Sequence, residues 1–145
     1  MKAVRLIVDG SALGNPGQGG WACILQYGAQ ERILTGSEPG STNNKMEMMA
    51  AIRGLQALKE PCDVHVITDS QYLQRGMTQF LAKWKANSWR GSSGKPVLNR
   101  ELWMELEGAA AQHQVQWTWV RGHGNEPDQN RADSLARRAA MASTI

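Results

Sequence analysis

The run from Ala3 to Val8 is apolar and β-branched apart from Arg5, and it stops at Asp9-Gly10. A run of this length and type reads as a buried strand whose end carries an acid. Dense turn chemistry follows in Gly14-Asn15-Pro16-Gly17 and Gly19-Gly20. Trp21 to Gln26 and Arg32 to Thr35 read as two more strands, with Gly28 between them marking a hairpin. An antiparallel β-sheet must therefore occupy the first third of the chain.

The remainder alternates. Thr42 to Lys59 reads as a helix, capped by Ser41 or Thr42, striped by Met48, Ala51, Ile52 and Leu55, and stopped by Pro61. Val64 to Thr68 is a short strand ending at Asp69-Ser70. Tyr72 to Ala86 is helical with a break near Gly76. A helix from about Asn99 to Gln112, a strand Val115 to Val120, a loop Arg121 to Glu126 and a helix Pro127 to Met141 complete it. The order βββαβααβα describes one mixed α/β domain over residues 1–145, with helices packed on a central sheet. A chain of 145 residues is long enough to bury roughly 70% of its unfolded surface without disulfides or metal staples.

Charge says less. A formal net charge of +3 leans towards an anionic partner, and its distribution matters more than its sum. Residues 83–100 concentrate it: Lys83, Lys85, Arg90, Lys95 and Arg100 occur there with no acid, and Trp84 and Trp89 lie among them. Such a segment suits phosphates and sugars, or else is a solvated basic loop. Cys23 and Cys62 read as reduced thiols. The N-terminal apolar run is too short for a signal peptide, and no window reaches transmembrane length, so a cytoplasmic, non-membrane protein is expected.

Four acids have telling addresses. Asp9 and Asp69 close two strands, and ligands of α/β sheets bind at such ends. Glu47 shares a helical face with Ala51, Gly54 and Leu58, where a carboxylate is costly unless paired or metal-bound. Asp133 sits beside the stripe Ala132, Leu135, Ala136 and Ala139. Each has a plainer reading: a turn or cap for Asp69, a helix-dipole partner for Glu47, an ion pair with Arg137 for Asp133. Together they make a metal cluster plausible, and all-oxygen ligands suit Mg²⁺ or Mn²⁺. His123, in the glycine-flanked Arg121-Gly122-His123-Gly124, suits proton transfer near neutral pH. His65 and His113 read as structural.

These residues resemble type 1 ribonuclease H, the bacterial ribonuclease HI family. The first motif is Asp9-Gly10-Ser11 with Gly14-Asn15-Pro16-Gly17 and Gly19-Gly20-Trp21. The second is Thr42-Asn43-Asn44-Lys45-Met46-Glu47 with Met49-Ala50-Ala51. Thr68-Asp69-Ser70-Gln71-Tyr72 is the third. Trp119-Val120-Arg121-Gly122-His123 and Asn130-Arg131-Ala132-Asp133 with Leu135-Ala136 form the last. Their order and spacing match over essentially the whole chain. Two departures, Val8 before Asp9 and Ser11-Ala12 after it, touch no carboxylate.

The resemblance implies a ribonuclease H-like fold: a five-stranded mixed sheet, strands one to three antiparallel, flanked by helices. It implies a monomeric endonuclease that cuts the RNA strand of RNA–DNA hybrids by a two-metal-ion mechanism, leaving 5′-phosphate and 3′-hydroxyl ends. Asp9, Glu47, Asp69 and Asp133 would hold one or two Mg²⁺ or Mn²⁺ ions, and His123 would assist proton transfer or product release. Gly10, Asn15, Thr42, Asn43, Asn44 and Gln71 would meet substrate. The basic protrusion at 83–100, with Lys83, Trp84 and Lys85, would lie along the DNA strand. No separate hybrid-binding domain is expected before Met1. Fold relatives such as transposases, integrases and junction resolvases would instead cut DNA, and an inactive binding module would need no clustered acids.

Overall fold

The computed structural model describes residues 1–142; residues 143–145 of the expected domain lie outside them. Strands β1 (Lys2–Gly14), β2 (Gly17–Tyr27) and β3 (Gln30–Ser41) form an antiparallel meander. Strands β4 (Cys62–Thr68) and β5 (Gln114–Trp119) add in parallel beyond β1, giving the order β3-β2-β1-β4-β5. This is the expected mixed sheet, with antiparallel strands one to three.

The strands are longer than their apolar runs. β1 continues five residues past Asp9, because Gly10 to Gly14 stay paired with Trp21 to Gly17. Asn15 and Pro16 alone form the turn. β3 likewise runs on through Pro39 and Gly40 to Ser41, with an irregular register beside Gly17 and Gly19. Pro39 is tolerated because β3 is an edge strand.

Helix α1 (Asn43–Gln56) starts where Thr42 Oγ1 accepts the Lys45 N–H at 3.1 Å, an N-cap. It ends three residues short of Lys59. Helix α2 (Gln71–Arg75) passes into a π-helical turn, Gly76–Phe80, and then α3 (Leu81–Ala86). The expected break at Gly76 is this turn. A Cβ on Gly76 would sit 2.1 Å from the Trp103 ring, so the missing side chain admits the indole. Trp103 belongs to α4 (Arg100–Ala110), is fully buried, and donates Nε1–H to the Tyr72 hydroxyl at 3.2 Å. Helix α5 (Pro127–Ala142) closes the chain.

The sheet separates two cores. Val4, Leu6 and Val8 of β1 pack with Met48, Ile52, Leu55, Leu73 and Trp103 on one face. Ile7, Ile24 and Ile67 pack with Ala132 of α5 on the other. Cys23 and Cys62 are both buried free thiols. His113 Nδ1 accepts the Cys62 N–H at 3.0 Å, and His65 bonds Thr118 at 2.6 Å, so both have structural contacts. No helix among the described residues is long and apolar enough to cross a membrane.

Candidate active site

Side chains alternate along β1, so Val8 faces α1 and Ile7 faces α5. By that alternation Asp9 falls on the α5 side and Gly10 on the α1 side. Asp9 is therefore a mid-strand residue rather than a strand-end one, and it is 2% exposed. Val8 is in register with Thr68 of β4, which sets Asp69 level with Asp9. Asp69 is the first residue after β4.

Glu47 comes from the opposite face. Gly10 lets α1 press against β1: a Cβ there would lie 2.3 Å from the Glu47 nitrogen. The Gly10 N–H donates to Glu47 Oε1 at 3.0 Å, and Thr68 Oγ1 donates to Glu47 Oε2 at 3.4 Å. Asp9, Glu47 and Asp69 each offer an oxygen within 4.8 Å of the others. Asp9 Oδ2 is buried with no hydrogen-bond partner.

Three acids so close, two of them buried, cannot all carry charge cheaply. Burial first, then the hydrogen bond and charge of Glu47 and the charge of Asp69, push the Asp9 carboxyl far above the carboxylate range. Burial also pushes Glu47 up, against the opposing pull of its hydrogen bond with Asp9.

Asp133 is not one of these three, but its side chain reaches Asp9 and adds to the rise of the Asp9 carboxyl. It pairs with Arg137 one turn along α5, as its plainer reading allowed. It still lines the same open cleft of about 540 Å³, along with Gly10, Asn43, Asn44, Gln71, His123 and Arg137. His123 has a left-handed backbone, φ 55°, and is 75% exposed, with Nδ1 4.0 Å from Asp133 Oδ2. Gly122 packs beside Asp69. Asn43 Oδ1 accepts the Ala12 N–H at 2.7 Å, joining α1 to the first hairpin.

Other expected contact residues lie elsewhere. Asn15 is exposed at the β1–β2 turn, and Thr42 spends its hydroxyl on the α1 cap. Neither lines the cleft. Lys83 and Lys85 are exposed on α3, where Lys85 pairs with Glu107 at 2.5 Å. Trp84 is half-buried, with its ring centre 5.2 Å from Trp103, 5.8 Å from Phe80 and 6.4 Å from Trp89.

One supporting residue escaped sequence reasoning. Gln129 is 1% exposed and donates Nε2–H to the Val8 carbonyl at 3.0 Å, next to Asp9. A glutamine in a first helical turn ordinarily faces water, so no pattern singles it out.

Comparison with known proteins places these features in context. Residues 1–141 match the RNase H family. Ribonuclease H of Xanthomonas campestris pv. campestris (strain 8004) is 49% identical over 142 residues, covering 98% of this chain and 95% of the relative. The crystal structure of LC9-RNase H1, described as a type 1 RNase H with the type 2 active-site motif, superposes with a TM-score of 0.90 at 31% identity, covering 98% of this chain and 74% of the other. LC11-RNase H1 in complex with RNA/DNA hybrid has a TM-score of 0.77 at 20% identity, covering 98% and 99%, a likeness of fold.

Proposed function

We propose that this chain, which belongs to the ribonuclease H family, hydrolyses the RNA strand of RNA–DNA hybrids, leaving 5′-phosphate and 3′-hydroxyl ends. The observation that carries this reading is the packed carboxylate set Asp9, Glu47 and Asp69 at the floor of an open cleft.

The donor set fits a hard divalent cation. It is all oxygen, it is too close to ionise fully, and Asp9 Oδ2 is buried without a partner. Asp9, Glu47, Asp69 and Asp133, which lines the same cleft, would hold one or two Mg²⁺ ions, with Mn²⁺ as a substitute. Ions bound there would supply a deprotonated water as nucleophile and charge to steady the phosphate oxygens. The water oxygen bonds to phosphorus while the bond from phosphorus to the 3′-oxygen breaks. His123, exposed at the cleft rim, moves the proton to that leaving oxygen or helps release product.

The cleft also orients substrate. Gly10, Asn43, Asn44 and Gln71 line it and would meet the RNA strand, whose 2′-hydroxyls separate it from DNA. Asn15, at the β1–β2 turn, and Thr42, at the α1 cap, would add substrate contacts from outside the cleft lining. Lys83, Trp84 and Lys85 would follow the DNA strand, with residues 83–100 as a basic protrusion of a single domain spanning 1–145. The working form is a cytoplasmic monomer.

The test uses a labelled hybrid, single-stranded RNA and duplex DNA, each with Mg²⁺ or EDTA. The expected result is Mg²⁺-dependent cutting of RNA in the hybrid alone. Cutting of duplex DNA alone would replace this reading with a DNA nuclease, and binding without cutting would replace it with an inactive binding module.

A further inference from the structure

The first turn of α5 is tied to three strands by charged side chains. Arg5, Gln26 and Glu31 are cross-strand neighbours on β1, β2 and β3. Arg5 Nη1 donates to Asp128 Oδ2 at 2.6 Å and to Gln26 Oε1 at 2.9 Å, and its Nη2 lies 3.1 Å from Glu126 Oε1. Gln26 Nε2 donates to Asp128 Oδ2 at 3.1 Å and to Glu31 Oε2 at 3.0 Å. Arg131 grips both oxygens of Glu31 at 2.6 Å and reaches Asp128 Oδ1 at 3.0 Å. Isolated surface ion pairs do little. A connected set with a two-pronged arginine fixes geometry as well as charge.

Beneath this set, Gln129 bonds the Val8 carbonyl, one residue before Asp9. Asp133 lies five residues beyond Asp128, a rise of about 7.5 Å along the same helix. Glu126 ends the loop that carries His123. The other end of that loop is pinned where the Val120 N–H donates to the Thr68 carbonyl at 2.9 Å and Trp119 Nε1–H to the Asp69 carbonyl at 3.0 Å. Helix α5 cannot slide along β1 without breaking the Arg5–Asp128 and Gln129–Val8 bonds.

We propose that Arg5, through Asp128 and Glu126, is a positioning residue that holds Asp133 and the His123 loop in register with Asp9. The inference rests on the hydrolase reading above for its kinetic consequence. Arg5 itself makes no contact with the carboxylate cluster. Misplacement by about an ångström is enough to cost on the order of a hundredfold in rate, and a loosened clamp should cost part of that.

The experiment compares Arg5→Met, Arg5→Lys, Asp128→Asn and the double variant Arg5→Met/Asp128→Asn. Lys2→Met, which removes the Lys2–Glu60 pair and the Lys2 contact with the Tyr27 ring on the same sheet, is the control. Each is assayed on the hybrid with Mg²⁺ below its melting temperature, and by hydrogen exchange without metal. Arg5→Met is expected to lower kcat about tenfold with KM within about twofold. It should also speed amide exchange across residues 121–133. Arg5→Lys should recover part of both, the double variant should be no worse than the single ones, and Lys2→Met should match the parent. Unchanged kcat and unchanged exchange in Arg5→Met would overturn the proposal, as would a rise in KM alone. Should Arg5→Met not fold, Asp128→Asn carries the same criteria. A parent that fails to cut hybrid would sink the hydrolase reading, while the exchange data would still decide whether the clamp holds the loop.

Discussion

Asp9→Asn is expected to lower kcat on an RNA–DNA hybrid by at least about a thousandfold while leaving hybrid affinity within about tenfold. Asp9 is the most enclosed of the three clustered acids, and its Oδ2 has no protein partner to substitute for a cation. An amide keeps the shape and removes the charge. The same change should stabilise the metal-free protein at alkaline pH. The Asp9 carboxyl is raised in the fold, so its favourable contribution is complete below the unfolded value, about 3.9, and is lost as pH climbs towards the folded one. Glu47, raised in the same direction, behaves alike. Melts in EDTA should therefore show Asp9→Asn gaining on the parent between pH 5 and pH 9. Relief of about 1 kcal/mol would appear as about 3 °C. Substantial residual turnover would remove Asp9 from the metal-holding role, and a gap that does not widen with pH would refute the charge crowding.

Gly10→Ala is expected to be the most damaging single methyl addition in the cleft. The new Cβ would lie 2.3 Å from the Glu47 nitrogen and 2.4 Å from the Met46 carbonyl carbon, both main chain. Neither can swing aside, so α1 must lift from β1 by about an ångström. Such overpacking costs about 3 kcal/mol, a fall in melting temperature of about 10 °C. The Gly10–Glu47 hydrogen bond, 3.0 Å in the parent, would lengthen, and kcat should fall about a hundredfold. Gly108→Ala is the matched control. Its Cβ would meet nothing within 4 Å on α4, and helix propensity predicts a gain of about 0.5–1 kcal/mol. Calorimetry and kinetics on both variants decide the matter: equal stability of Gly10→Ala and the parent would show that α1 has slack.

Much of this architecture was legible in the chain, and the exceptions have physical causes. Apolar and β-branched runs located every strand, because a strand buried on both faces reads as a continuous run and a half-buried one alternates. It could not follow β1 past Asp9 or β3 past Thr35, where glycine and proline look like turns until their partners are known. The break at Gly76 was visible as a helix-weakening glycine. Its reason was not, because Trp103 lies 27 residues away in sequence and arrives only on folding. The four acids were legible as candidates, but their layout was not. Asp9 and Glu47 reach the cleft from opposite sides of the sheet, and Asp133 stays with Arg137 beside the cluster. Gln129 and the Arg5 clamp left no trace in periodicity, since each depends on a partner more than a hundred residues distant.

The two native thiols have a practical corollary. Cys23 is fully enclosed on β2 and burial pushes its thiol up to about 12, while Cys62 is buried and donates Sγ–H to the Glu60 carbonyl at 3.2 Å. Maleimide reacts with thiolate, so both should label slowly in the folded protein. A cysteine introduced at Ala29, exposed in the β2–β3 turn, would then be the fast-reacting position. Ala22 faces Asp9 in the ladder, and the five residues from there to Tyr27 span about 17 Å. A dye at that turn would report on the molecule from well outside the cleft, with both native cysteines left in place.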